Sequence, residues 1–183
     1  MRLFAALMPP QQAVDELRRV VEPLRDDRLR WTGEAGWHFT LAFMGEVRDG
    51  LLPDLHARLA RAAHRTEPFS LRIHGSGHFG DRALWVGAAG GLDPMRMLAE
   101  RADAAARRAG VPMEHHRRYT PHLTLARSRG GADMHPYVEA LADFEGTPWR
   151  AGELSLVRSN LPAGGVPGEQ PRYEVVEAWP LAA

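Results

Sequence analysis

Two short segments of this chain are nearly the same, and their repetition constrains the fold more than any other feature. His38-Phe39-Thr40-Leu41-Ala42 returns 84 positions later as His122-Leu123-Thr124-Leu125-Ala126. Each copy has the apolar frame of a strand, in which successive side chains alternate faces. His38 and Thr40 then share one face, with Phe39, Leu41 and Phe43 on the other. His122 and Thr124 stand against Leu123 and Leu125 in the same way. One His-x-Thr triplet carries little weight in a chain with nine histidines. Two in the same frame imply an architecture built twice.

The elements around the motifs support that reading. Arg2–Met8 has a strand pattern and is stopped by Pro9-Pro10. Gln11–Arg25 places Val14, Leu17, Val20, Val21 and Leu24 at helical spacing. Arg30-Trp31 is a short extended step, and Trp37–Met44 a strand carrying the first motif. Leu51–His64 is an amphipathic helix, Phe69–His74 a strand, Gly75, Gly77 and Gly80 a turn, and Ala83–Ala88 another strand. After Gly90-Gly91 the order restarts: helix Pro94–Ala109 closed by Gly110 and Pro112, strand His122–Ser128, helix Met134–Asp143. Trp149–Ser159 and Tyr173–Trp179 read as closing strands, with Leu161–Pro171 an exposed Gly- and Pro-rich loop. The expectation is one bilobal domain over 1–183, with an approximate repeat of 1–90 and 91–183.

Composition excludes several chemistries. There is no cysteine, hence no thiolate nucleophile, disulfide or thiolate metal site. There is no lysine either, since all 23 basic residues are arginine. P-loop, Schiff-base and lysyl-adenylate mechanisms are therefore impossible, whereas arginine still binds phosphate through its planar fork. With 23 acids against 23 bases, no global basic field exists to hold long nucleic acid. Contact with nucleic acid should be local, at an end or a single phosphate. No apolar run approaches the ~20 residues that span a bilayer. Met1–Pro10 lacks the apolar region and cleavage site of a signal peptide, so a cytoplasmic monomer is expected.

Two His-Thr pairs facing one groove suit in-line displacement at phosphorus. One imidazole takes a proton from the attacking water, and the other, protonated, delivers one to the departing oxygen. Each threonine hydroxyl can hold a non-bridging phosphate oxygen. The residues alone define the pair, not which member is acid and which is base. Both proton transfers fall to side chains, so no metal or other cofactor is called for.

The paired motifs resemble those of the 2H phosphoesterase superfamily, and within it the RNA 2',3'-cyclic phosphodiesterases historically called 2'-5' RNA ligases. The likeness also takes in RLFAAL at the start, Arg30-Trp31, Gly45-Glu46-Val47, Gly77-His78-Phe79-Gly80 to Leu84-Trp85-Val86-Gly87, Pro121 to Arg127, and Tyr173-Glu174-Val175. The resemblance implies an α+β fold of two pseudo-symmetric lobes, with antiparallel sheets flanking a central cleft and helices outside. It implies hydrolysis of RNA 2',3'-cyclic phosphate ends to 2'-phosphates, with His38 as proton donor and His122 as proton acceptor. Partners would be RNA ends or small cyclic-phosphate nucleotides. A module that binds phosphorylated RNA ends without turnover, a reversible 2'-5' ligase and a small cyclic nucleotide phosphodiesterase stay open beside it.

Further candidates surround the motifs. Arg127 resembles the arginine that ends the family motif, yet its parity is odd relative to His122. It would face the groove only if the strand twists or ends there. Arg118, in the run His115-His116-Arg117-Arg118, is placed to seat an anionic end. Phe79, Trp31 and Trp37 could stack on a base, although core or rim packing suits each of them too. His74 and His78 suggest a metal pair, but Gly75, Ser76 and Gly77 oppose the helix that would present both, and no carboxylate sits at matching spacing.

Overall fold

The computed structural model describes residues 1–114, 118–162, 164 and 170–182. Its strands form two antiparallel sheets. The first, in the order β3-β1-β8-β9, is built from Phe39–Glu46, Arg2–Leu7, Glu153–Asn160 and Arg172–Pro180. The second, β2-β6-β5-β4-β7, is built from Arg30–Trp31, Leu123–Arg127, Ala83–Gly90, Phe69–Phe79 and Trp149–Ala151. The four helices are α1 (Gln11–Val21), α2 (Leu52–His64), α3 (Leu92–Arg108) and α4 (His135–Leu141). Two sheets with helices packed beside them make the expected α+β class and two-sheet architecture. Each sheet takes strands from both halves of the chain.

The helices bury one stripe apiece. In α1 the buried positions are Ala13, Leu17 and Val21, four residues apart and hence on one face. α2 packs on α3, α3 on β3, α2 on β9, and α4 on β4 and β5. Their apolar stripes join Leu3, Ala5, Leu7, Phe39 and Leu41 of one sheet and Leu71, Ile73, Leu84, Leu123 and Leu125 of the other in a single core. Each fully buried leucine contributes about 1.5–3 kcal/mol through lost apolar exposure. The opposite face of the first sheet carries a separate small cluster of Phe4, Ala6 and Val157, with Tyr173 packed on it. No helix among the described residues is long and apolar enough to cross a membrane.

Several sequence expectations are corrected. Of the three glycines expected to form a turn after His74, Gly75 and Gly77 lie within a strand and only Gly80 lies in the turn. β4 continues to Phe79, with a bulge between Ile73 and Ser76 where Gly75 takes φ +73°. Gly77 is required because the Trp85 ring lies flat across it, and an added Cβ would sit 2.3 Å from that ring. The reversal comes at Gly80–Arg82, closed by the Arg82 amide on the Phe79 carbonyl at 3.0 Å. The expected strand Trp149–Ser159 is two strands, because the chain changes sheet at Gly152: Ala151 pairs with Phe69, and Glu153 with Pro180. The expected loop Leu161–Pro171 falls largely outside the described residues, as do His115, His116 and Arg117.

Candidate active site

Both motif strands are bulged at the same place, which alters the expected alternation. On β3, Ala5 and Ala6 of β1 face Ala42 and Thr40, so Leu41 is the extra residue. On β6, Leu84 and Trp85 of β5 face Ala126 and Thr124, so Leu125 is extra. A bulge resets the face on which later residues point. Leu41 and Ala42 are both buried, as are Leu125 and Ala126, and the next residue returns to the histidine's face. Phe43 is therefore 50% exposed instead of anchoring the core. By the same step Arg127 comes round to the face of His122 and Thr124, despite its odd parity. Its charge acts on His38, His122 and Tyr173 alike.

Each histidine immediately precedes its strand. His122 Nδ1 lies 2.8 Å from the Thr120 carbonyl. A carbonyl only accepts, so Nδ1 carries the hydrogen and Nε2 is left for chemistry. His38 has the Gly36 carbonyl in the corresponding place, two residues back. That carbonyl favours the protonated ring, although Nδ1 completes no hydrogen bond of good geometry with it. The His38 ring stacks on Phe4 at 4.6 Å between centroids and meets Tyr173 edge-on at 5.3 Å. The His122 ring stands edge-on to Phe79 at 4.8 Å and lies 6.2 Å from Trp85.

Burial is the main influence on both rings. It lowers the pKa of His38 to about 4, and the charges of His122 and Arg127 push the same way. It lowers His122 also, with Arg127 assisting and the Thr120 carbonyl opposing. Both imidazoles are therefore neutral at pH 7, and a proton on one disfavours a proton on the other.

The groove beside them, about 570 Å³, is lined by Thr40, Phe43, Phe79, Arg118, Tyr119 and His122 among others. Arg118 and Phe79 thus line the groove with His122, Phe79 being 43% exposed, whereas His38, Thr124 and Arg127 are not part of its lining; His38 is linked to His122 and Arg127 through their charges. Trp37 is buried with its indole N–H on the Thr32 carbonyl, and Trp31 gives its own to the Asp26 carbonyl; both are structural. His74 and His78 each direct Nδ1 to a backbone carbonyl, of Phe144 and Gly80. Among the described residues no three His, Asp or Glu side chains gather to hold a metal.

Sequence reasoning missed Phe4, Tyr119 and the groove position of Phe43. Tyr119 donates its hydroxyl to the Thr40 carbonyl at 3.0 Å, tying the segment before the second motif to the first motif strand. Its burial pushes the phenol pKa up, so it remains a donor. The signal for Phe43 was present: two successive apolar residues, Leu41-Ala42 and Leu125-Ala126, break strict alternation in both copies.

Residues 8–162 match the family described as the 2'-5' RNA ligase superfamily. A Thermus thermophilus protein named RNA 2',3'-cyclic phosphodiesterase is 30% identical over a 205-residue alignment covering 99% of this chain and 90% of the relative. A Geobacillus stearothermophilus protein of the same name is 30% identical over 158 residues, 82% of this chain. Here the chain spans about half of the relative, 47% of its length. The crystal structure of E. coli LigT complexed with 3'-AMP shares the fold, with a TM-score of 0.80 at 22% identity, covering 100% of this chain and 98% of that one.

Proposed function

Because the chain belongs to the 2'-5' RNA ligase superfamily, we propose that it hydrolyses RNA 2',3'-cyclic phosphate ends to 2'-phosphates by acid-base catalysis between His38 and His122. The observation that carries this is that Thr40 of the first motif and His122 of the second line one groove, with the charge of His122 reaching His38. Each histidine comes from a different sheet, with its threonine two residues on and a backbone carbonyl two residues back. His122, its Nδ1–H held by Thr120, offers the Nε2 lone pair to the attacking water. His38 delivers a proton to O3' as the P–O3' bond breaks, leaving the phosphate on O2'. The water proton ends on His122 and the donated proton on the ribose hydroxyl, so the charges balance.

Thr40 and Thr124 would hold the non-bridging oxygens, while Arg127 offsets the charge that builds on them in the transition state. Burial holds His38 neutral at pH 7, and the negative charge of a phosphate beside it would raise its affinity for the proton that it has to deliver. Protonation of the acid is thereby coupled to substrate. No step in this scheme requires a metal, and turnover should survive EDTA.

The deciding experiment is product analysis on an oligonucleotide ending in a 2',3'-cyclic phosphate. The expected product is a 2'-phosphate. A 3'-phosphate would reverse the leaving-group geometry, and binding without turnover in a single-turnover assay would reduce the protein to a recognition module.

A further inference from the structure

A second groove, of about 360 Å³, lies between α2 and α3 and has no part in the chemistry above. Its lining holds five arginines, Arg58, Arg61, Arg65, Arg101 and Arg108, against one carboxylate, Glu100. In a chain of zero net charge this is a strong local excess. On α2 the arginines recur at i, i+3 and i+7, and on α3 at i and i+7, so each helix presents one basic stripe. Arg58 is paired with Asp54 at 2.8 Å, and Arg101 bonds the Arg65 carbonyl and Thr66 Oγ1 at 2.9 and 2.8 Å. Arg61, Arg65 and Arg108 have no carboxylate partner among the described residues, and all three are exposed. Like charges so placed repel, and an anion lying between the helices would relieve that repulsion.

The groove also adjoins the one that His122 lines. Glu100 lines both it and the catalytic groove, and a smaller hollow of Arg96, Glu100, Arg118 and Tyr119 lies between the two. Cationic side chains therefore follow one another from the catalytic groove, through Arg118 and Arg96, which is paired with Asp93 at 3.3 Å, to the α2/α3 arginines, with Glu100 at the junction. A terminal cyclic phosphate sits at the 3' end of an RNA, so the rest of its chain must leave the active site on the 5' side.

We propose that this arginine track carries the phosphates of the RNA strand 5' to the reacting end, so that the preferred substrate is a single-stranded oligonucleotide and not a mononucleotide. The inference rests on the reaction proposed above and specifies its substrate. It also reconciles a neutral chain with a polyanionic substrate, because the positive charge is confined to one path.

The test compares Arg61→Ala/Arg65→Ala/Arg108→Ala with the unaltered protein on two substrates, a decamer ending in a 2',3'-cyclic phosphate and a pyrimidine nucleoside 2',3'-cyclic phosphate. Binding of a decamer with a 3'-phosphate end is measured alongside, across a salt series. The variant should lose about tenfold or more in decamer affinity and kcat/KM at low salt. Its salt slope should be shallower by about 2, from three lost phosphate contacts at ~0.7 each. Mononucleotide turnover and thermal stability should not change. Equal losses on both substrates, or undiminished decamer binding, would overturn the track; the latter would point to an acidic protein as the occupant. If the unaltered protein turns over neither substrate, the proposed reaction fails, while decamer binding still decides the fate of the track.

Discussion

The two halves of the groove share a motif, a bulge and a carbonyl two residues before the histidine, yet they differ in everything those features present. In the first half His38 is half-buried, stacked on Phe4 and edge-on to Tyr173, and the bulge delivers Phe43. In the second, His122 is held by Thr120 beside Phe79 and Trp85, and the bulge delivers Arg127. Opposite the threonines stand Ala6 in one half and Trp85 in the other. Duplicated backbone thus supplies positions in pairs, and substitution at those positions makes the pair unequal. An acid and a base need such inequality, because two identical imidazoles would titrate alike.

The largest effect expected from breaking this comparison is at the histidines. His38→Ala and His122→Ala should each lose about 10²–10⁴-fold in turnover with unchanged circular dichroism, and near-normal rates in either would sink the mechanism. The roles separate on an activated ester such as a p-nitrophenyl phosphodiester, whose leaving group needs no proton. There His38→Ala should recover most of its loss and His122→Ala should not. The opposite pattern would exchange acid and base.

A smaller contrast lies one bulge further on. Arg127→Ala should lower kcat by roughly 10²-fold, the scale of one lost charge-stabilising donor. Phe43→Ala should chiefly raise KM, by an amount matching the ~1–3 kcal/mol of a base–aromatic contact. If both act on KM alone, Arg127 serves binding and not the transition state.

The smallest effect concerns stability. His38 has a folded pKa of about 4 against 6.5 in an exposed histidine, so the unfolded chain binds the proton first. The neutral ring's contribution is complete above pH 6.5 and is lost as pH falls toward 4, by up to ~3 kcal/mol. His38→Phe should keep the stack on Phe4 and remove this sensitivity. Melting curves at pH 7.5 and 4.5 should show a narrower gap in the variant than in the unaltered protein.

Much of this was legible in the sequence, for identifiable reasons. The first helix announced itself through periodic Val14, Leu17, Val21 and Leu24, and the motif histidines through repetition. What the sequence concealed was backbone irregularity. A single extra residue at Leu41 moved Phe43 from core to groove, and the one at Leu125 brought Arg127 in. A bulge at Gly75 turned an expected reversal into continuous strand. The roles of Phe4, Tyr119 and Tyr173 depend on which strands become neighbours, and no local pattern states that. The α2/α3 arginines lay in view as helical positions, but their convergence depends on how the two helices pack.

The strand order carries a consequence for how the molecule comes into being. β1 ends up between β3 and β8, although β8 follows it in the chain by some 150 residues. Until β8 is made, β1 can satisfy one edge only, leaving a row of unpaired amides and carbonyls beside Phe4. The shelf on which His38 rests is therefore completed last, when β8 docks and β9 brings Tyr173. A nascent chain already holding both motifs would still lack the finished pocket around His38, and its open edge would be the natural place for a chaperone to bind or for aggregation to begin.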